Sequence, residues 1–196
     1  RAISDLGPIN ASAIEEYQAI KERSEFLQKQ YNDLCTAKEN LEAVIGEINS
    51  GMTKRFKEAF AQINIYFAQC YVKLFGGGTA VLKLTEPDDI LDSGIDIEVQ
   101  PPGKNLQSLF LMSGGERALT VIALLFALLS YQPAPFCILD EIDAALDDRN
   151  VERFSSYLRN LGSKTQFVVI THRRGTMEAS DVLYGVTMQE QGISKL

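Results

Sequence analysis

Two acids side by side at the end of an apolar run are the residues best suited to chemistry. Phe136-Cys137-Ile138-Leu139 is followed directly by Asp140-Glu141. Four apolar residues of this kind read as a buried parallel strand, whose carboxyl end opens into the crevice where α/β sheets take ligands. Adjacent carboxylates there are costly unless something uses their charge. With a nucleotide, Asp140 would hold Mg²⁺ through water and Glu141 would polarise an attacking water. Without one, the same residues are a strand ending in a solvated acidic turn. Asp140, Glu141, Asp143, Asp147 and Asp148 fall within a short stretch. Such a cluster repels itself unless cations or basic groups compensate, which a divalent metal does naturally.

Two further groups stand at ordered distances from this pair. Ser113-Gly114-Gly115-Glu116 precedes an apolar helix, and Ser113 with Glu116 three residues later forms a capping box. Glycines at a helix start let backbone N–H groups approach an anion, and the helix dipole favours phosphate; alone, the segment is simply a well-capped helix. His172 is the one histidine and follows Phe167-Val168-Val169-Ile170-Thr171. It is either a packed or surface side chain, or a neutral donor reaching a terminal phosphate. Ala144-Ala145-Leu146-Asp147 lies in the short loop after the acid pair.

The elements that must hold these residues are legible from periodicity. Residues 11–58 read as one long helix in which Leu27, Leu34, Leu41 and Ile48 recur every seven residues. Tyr31, Ile45 and Met52 complete a 4-3 seam, with Lys38 its polar exception. Leu6-Gly7-Pro8 is a breaker before it, and Asn10 or Ser12 a cap. Helix continues through 59–75 until Gly76-Gly77-Gly78 stops it. Ala80–Leu84 and Ile95–Val99 alternate as antiparallel strands, with Leu82, Leu84, Ile95, Ile97 and Val99 on one face. The pattern then becomes α/β: a helix at about 114–130, a strand 136–139, a helix at about 149–161 and a strand 166–171. A short helix at 176–179 and a strand near 182–188 close the chain.

The sequence has 196 residues, 45% hydrophobic and 23% charged, with a formal charge of −7. That is a globular composition with no chain-wide basic surface for nucleic acid. The longest nearly apolar run, Ala118 to Leu129, is shorter than the ~20 residues of a membrane span. Arg1 opens no signal-peptide pattern, and Cys35, Cys70 and Cys137 have no metal-ligand spacing. Three scattered cysteines predict reduced thiols and a cytoplasmic home. Arg173-Arg174 and the cluster Lys54, Arg55, Lys57 are the local basic groups, either DNA contacts or solvated charge and internal ion pairs.

The ordered set Ser113-Gly114-Gly115-Glu116, Asp140-Glu141, Ala144-Ala145-Leu146-Asp147 and His172 resembles the ABC-type ATPases: signature, Walker B with catalytic glutamate, D-loop and switch histidine. A closer resemblance, to bacterial structural maintenance of chromosomes (SMC) proteins, spans essentially the whole chain. It is carried by Leu6-Gly7-Pro8-Ile9-Asn10, Leu74-Phe75-Gly76-Gly77-Gly78, Gln100-Pro101-Pro102-Gly103-Lys104 and Thr171-His172-Arg173-Arg174-Gly175-Thr176-Met177, with 181–189 also matching. Met112, where the family usually has Leu, is a conservative departure.

No G-x-x-x-x-G-K-[ST] occurs in the sequence, so the phosphate-cradling loop and its lysine must come from elsewhere. The resemblance therefore implies an α/β fold: the C-terminal lobe of an ABC-type ATPase head, residues 59–196, with a coiled-coil stub, residues 1–58. It implies ATP and Mg²⁺, with Asp140 on the metal and Glu141 and His172 catalytic. Ser113, Gly114, Gly115 and Asp147 would act on nucleotide held by the opposite head. The implied partners are the N-terminal lobe with Walker A, a second SMC head in a homodimer, a kleisin subunit and DNA, with no membrane, in the nucleoid-associated cytoplasm. This fragment alone is expected to be inactive. The competing readings are the nucleotide-binding lobe of another ABC-type ATPase (DNA repair or transporter) and a non-enzymatic coiled-coil interaction module. The heptad helix argues against the transporter, and the order Ser113, Asp140, His172 argues against the module.

Overall fold

The architecture is that of a computed structural model, which describes residues 12–190 and 193–195. The breaker Leu6-Gly7-Pro8 and the cap Asn10 lie outside the described residues. The chain divides into two compact units, Arg1–Met52 and Thr53–Leu196.

A single helix, α1 (Ala13–Phe75), runs through 63 residues. At its start the Glu16 N–H donates to the Ser12 carbonyl and the Ser12 hydroxyl to the Glu16 carboxylate, both at 2.9 Å. In the first unit the helix is bare. The seam residues Leu27, Tyr31, Leu34, Leu41, Ile45, Ile48 and Met52 are all exposed. The last turns differ: Phe67, Cys70, Tyr71 and Leu74 are buried, a 3-4 spacing that faces one core.

The end of α1 is set by glycine. Gly76 takes φ +75°, and the Gly76 and Gly77 N–H groups donate to the Val72 carbonyl. Arg153 donates to the carbonyls of Leu74 and Phe75 at 3.3 and 2.7 Å, satisfying acceptors a helix end leaves open. Gly78, at φ +85°, lies so close to the next strand that a Cβ would collide with the Gln100 carbonyl oxygen.

Strands β1 (Thr79–Leu84), β2 (Ile95–Gln100) and β3 (Gln107–Ser108) form an antiparallel sheet with Leu82 opposite Ile97. Ala80, Leu82 and Val99 are buried, with Ile97 packed against them. Ile95, expected on that face, is half exposed at the sheet's end, and the two-residue β3 is too short to leave a period in sequence. Asn64 of α1 grips β1, accepting from the Leu82 N–H at 2.9 Å and donating back to its carbonyl at 3.3 Å.

Helix α2 (Gly114–Tyr131) is apolar enough, by length and composition alone, to cross a membrane. In the fold it is a core helix, burying Leu119, Ile122, Ala123, Phe126 and Ala127. Phe126 stacks on Phe154 and Tyr157 of α3 (Asp148–Leu161), with ring centroids 5.8 and 5.2 Å apart. The thiol of Cys70 and the hydroxyl of Tyr157 share a hydrogen bond at 3.0 Å, and all three cysteines are free.

Strands β4 (Phe136–Asp140) and β5 (Gln166–Ile170) pair in parallel, as the crossover through α3 requires. Helix α4 (Arg174–Glu178) begins two residues earlier than the sequence suggests. The expected strand near 182–188 is a correction. Residues 182–186 are irregular, and the strand is β6 (Thr187–Glu190), paired with β7 (Ile193–Lys195). Val182, Leu183 and Val186 are exposed, so apolarity there carries no strand.

Replacing Gly78 by Ala imposes both the left-handed φ and the Gln100 collision. We expect Gly78→Ala to lower stability by at least ~1–3 kcal/mol, read as a reduced urea midpoint.

Candidate functional site

The carboxyl ends of β4 and β5 carry the acid pair and the histidine. Parallel pairing puts Asp140 opposite Ile170, and the ladder continues one step further through the Glu141 N–H to the Ile170 carbonyl at 2.9 Å. Glu141 then leaves the strand at φ +46°, the one positive φ among the described non-glycine residues. That conformation is uncommon for a residue with a side chain and turns Glu141 out of the strand. Its carboxylate Oε1 lies 3.9 Å from His172 Nδ1, and both side chains are 63% exposed. Asp140 is exposed as well. The structure therefore brings Asp140, Glu141 and His172 to one open edge.

Burial along the strands is one-sided. Cys137, Leu139, Phe167 and Val169 pack on the core, whereas Phe136, Ile138, Val168 and Ile170 are 61%, 61%, 48% and 52% exposed. The expectation of a buried parallel strand holds for one face only. The other is an apolar sheet surface with nothing on it among the described residues.

The loop from 141 to 147 is a compact turn. Ala144 N–H donates to the Glu141 carbonyl and Leu146 N–H to the Asp143 carbonyl, while Leu146 fills the core. Asp147 caps α3, its carboxylate accepting the Asn150 N–H at 2.8 Å. The capping box at α2 is complete: the Glu116 N–H donates to Ser113 Oγ, and the Ser113 N–H donates to Glu116 Oε2 at 3.3 Å. Ser113 Oγ also donates to Glu116 Oε2 at 2.8 Å, and Lys104 Nζ binds Glu116 Oε1 at 2.7 Å. The Glu116 carboxyl is held below its ordinary value of 4.5, first by the Lys104 bond and then by the Ser113 donors, against a rise from partial burial. Gly114 is open to solvent, but a Cβ on Gly115 would lie 3.0 Å from the Ala145 carbonyl. Gly115 thus lets the start of α2 abut the loop that carries Asp147.

The acidic cluster is compensated differently from the metal expected for it. Among the described residues no group of three or more His, Cys, Asp or Glu side chains converges on a common point. Asp143 is fully buried on threonine hydroxyls, Asp147 caps a helix, and Asp148 faces Arg173 at 3.4 Å. Only Asp140 and Glu141 stay uncommitted to neighbouring hydroxyls, helix ends or arginine. A lone exposed carboxylate fits Mg²⁺, which is commonly held by one or two carboxylates together with substrate phosphates. Sequence reasoning gave Asp143 no role of its own; an acid between Ile142 and Ala144 has no period to mark it as buried. Of the basic groups, Arg173 and Arg174 are engaged with Asp148 and Glu178, whereas Lys54, Arg55 and Lys57 are exposed.

A family model described as RecF/RecN/SMC N terminal domain matches residues 11–195. The chromosome partition protein Smc of Bacillus subtilis (strain 168) is 57% identical over 195 residues, 100% of this chain and 16% of that relative. Its counterpart in Desulfitobacterium hafniense (strain Y51) is 55% identical over 191 residues, 97% of this chain and 16% of that relative. The chain thus spans 16% of the length of these curated relatives. Among solved structures, an Smc head domain with a coiled coil and joint from Pyrococcus yayanosii is 37% identical with a TM-score of 0.76, over 99% of this chain and 37% of that one. An Smc head bound to the C-winged helix domain of ScpA is 43% identical with a TM-score of 0.66, over 69% and 41%.

A pH dependence follows from the Lys104–Glu116–Ser113 chain. A carboxyl whose folded pKa is depressed stabilises the fold above its unfolded pKa and loses that contribution as pH falls through the folded value. We expect the urea midpoint to fall as the pH drops below the ordinary Glu116 value of 4.5, and Lys104→Met to flatten that part of the profile by removing the largest cause of the shift.

Proposed function

The chain belongs to the RecF/RecN/SMC family, and from that membership we propose that it is the signature-bearing C-terminal lobe of an SMC ATPase head, residues 59–196, with a coiled-coil stub, residues 1–58. The observation that carries this is the bare apolar face of β4 and β5. Parallel sheets are covered on both faces. Covering the exposed half of a side chain such as Ile138 or Val168 contributes about 1 kcal/mol, so four half-exposed residues invite a second layer. The sequence lacks the G-x-x-x-x-G-K-[ST] loop, and the layer that covers this face is the segment that supplies it. The exposed seam of α1 calls for a partner strand in the same way: the antiparallel coil that leads back to that lobe.

ATP is then the substrate, and its hydrolysis a composite reaction. Glu141, turned out of its strand and free of tight partners, polarises the attacking water as general base. His172 beside it donates to the terminal phosphate. Asp140 would hold Mg²⁺, which when bound would neutralise charge on the phosphates. Ser113, Gly114 and Gly115 present the N-terminus of α2 to the phosphate bound by a second head, and Asp147 lies across the same interface. Binding of ATP joins the heads and its cleavage releases them, because the terminal phosphate is part of the interface.

The further partners rest on the relatives. One solved neighbour is an SMC ATPase with ATP-driven dimerization and DNA stimulated activation, 40% identical with a TM-score of 0.68 over 72% of this chain. Another carries the winged-helix domain of ScpA. We assign this chain a second head of its own kind, a kleisin and chromosomal DNA as partners, and chromosome partition in the nucleoid-associated cytoplasm as its role. Lys54, Arg55 and Lys57 form an exposed basic cluster that we assign to DNA.

The test is reconstitution. This chain alone should not turn over ATP, and activity should appear when a lobe carrying the Gly-Lys-Ser/Thr loop is co-expressed with it. Turnover by the lone chain would refute the half-site reading.

Two substitutions in the complete head separate the roles. Glu141→Gln should slow hydrolysis by at least ~100-fold and leave ATP-bound heads dimeric in light scattering. Ser113→Arg should abolish ATP-dependent dimerisation while one head binds ATP as before. Weakened binding to the single head would instead assign Ser113 to its own head's nucleotide.

A further inference from the structure

One carboxylate of the acidic cluster has no part in the roles above. Asp143 is fully buried between β4 and α3. Removing a charge from water costs several kcal/mol unless hydrogen bonds replace the lost solvation. The bonds it makes run to one place. Asp143 Oδ2 accepts from Thr171 Oγ1 at 2.7 Å and from Thr176 Oγ1, while Oδ1 has no partner. Thr171 Oγ1 in turn accepts the Arg173 N–H at 2.9 Å. That bond closes a turn with His172 at its tip. The Arg173 guanidinium returns to the acidic segment, donating to the Leu146 carbonyl and pairing with Asp148.

The residues on both sides of His172 are therefore fastened to 143–148. The imidazole itself is exposed, and its charged neighbour Glu141 is 3.9 Å away, beyond hydrogen-bond range. Side-chain contacts do not aim this ring; the backbone of its turn does. That backbone is held by a buried carboxylate whose two bonds go to threonine hydroxyls on either side of it, Thr171 and Thr176.

We infer that Asp143 is a positioning residue for ATP hydrolysis, locking the His172 turn onto the Glu141–Asp147 segment through Thr171 and Thr176. The inference rests on the proposed role of His172. It also explains why one loop serves two heads: the fastening that aims His172 at its own nucleotide fixes the loop that presents Asp147 to the other.

The experiment uses the complete head, this chain assembled with its phosphate-loop lobe. Asp143→Ala should lower kcat about tenfold with KM for ATP changed by less than about twofold. The double variant Asp143→Ala/His172→Ala should be no slower than His172→Ala, since a misaimed ring and a missing ring are equivalent. Asp143→Asn should recover part of the loss, because its amide oxygen still accepts a threonine hydroxyl. Thr171→Val and Thr176→Val, which leave the acid in place, cover the case in which Asp143→Ala fails to fold. Each should lower kcat and lose that effect in the His172→Ala background. Unchanged kcat in these variants, or losses that multiply with His172→Ala, would overturn the inference. Normal turnover by His172→Ala would instead overturn the histidine's role. Independently of activity, with only this chain isotope-labelled, the single His172 imidazole resonance should shift or broaden in Asp143→Asn and Thr171→Val. A resonance unmoved in both would refute the positioning.

Discussion

Two parallel strands with water on one apolar face are the constraint from which the rest of this molecule follows. The core behind β4 and β5 is complete: Phe126 of α2 stacks on α3, Leu139 and Leu146 close over it, and the end of α1 packs alongside. In front, Phe136, Ile138, Val168 and Ile170 have no cover among the described residues. A typical domain is stable by only ~5–15 kcal/mol, so several kcal/mol of uncovered sheet is a large fraction of what holds a domain together. The uncovered face lies on the strands whose ends carry Asp140 and Glu141. A layer that completes the sheet therefore brings its own loops to the same edge as the acid pair. On the proposed reading, completing the fold and completing the catalytic site are one event.

The acidic segment illustrates how a cluster of like charge is made tolerable without a metal cage. Each of three acids is matched to a different device: threonine hydroxyls for Asp143, the N-terminus of α3 for Asp147, and the Arg173 guanidinium for Asp148. The two left over, Asp140 and Glu141, are the ones at the open edge. Charge is thus matched at three positions and left available at the open edge, where the proposed reading puts a cation and a water. Helix α3 adds a mechanical consequence. Its N-cap is Asp147, and Arg153, about 9 Å further along the helix, clasps the last carbonyls of α1. A single rigid element joins the loop at the site to the end of the long helix.

Much of this was legible in sequence because it rests on local rules. The α1 seam, the glycine stop at 76–78, the capping box at Ser113 and the strand–helix–strand order around Asp140 each have a period or a pair of residues that announces them. The candidate site residues stood out through the order of short motifs, each of which alone is ambiguous. What escaped depends on contacts distant in sequence. The burial of Asp143 is decided by Thr171 and Thr176, and the engagement of Arg173 by Leu146. The bareness of one sheet face could not be read from Phe136–Leu139, since an apolar run predicts burial and does not say by which chain. Residues 182–186 misled for the opposite reason: apolar residues there have no neighbour to pair with, and strand propensity without a partner strand makes no strand.

The start of α2 raises a question of charge that its geometry answers. A helix N-terminus attracts phosphate, yet Glu116 sits in the first turn, and its carboxylate would repel the anion that Ser113 and Gly115 are proposed to meet. Lys104 resolves the conflict. Bonded to Glu116 Oε1, it leaves the pair close to neutral, while Oε2 receives the Ser113 hydroxyl and N–H. The capping box then orders the turn without presenting net negative charge to a ligand. Ser113 Oγ meanwhile donates inward, to Glu116. An incoming phosphate oxygen has to win that hydroxyl from a carboxylate whose charge Lys104 has already offset, and a weakened acceptor is the easier one to displace. Lys104, a few residues before Ser113 and outside the signature itself, is on the proposed reading part of the device that lets a capped helix bind an anion.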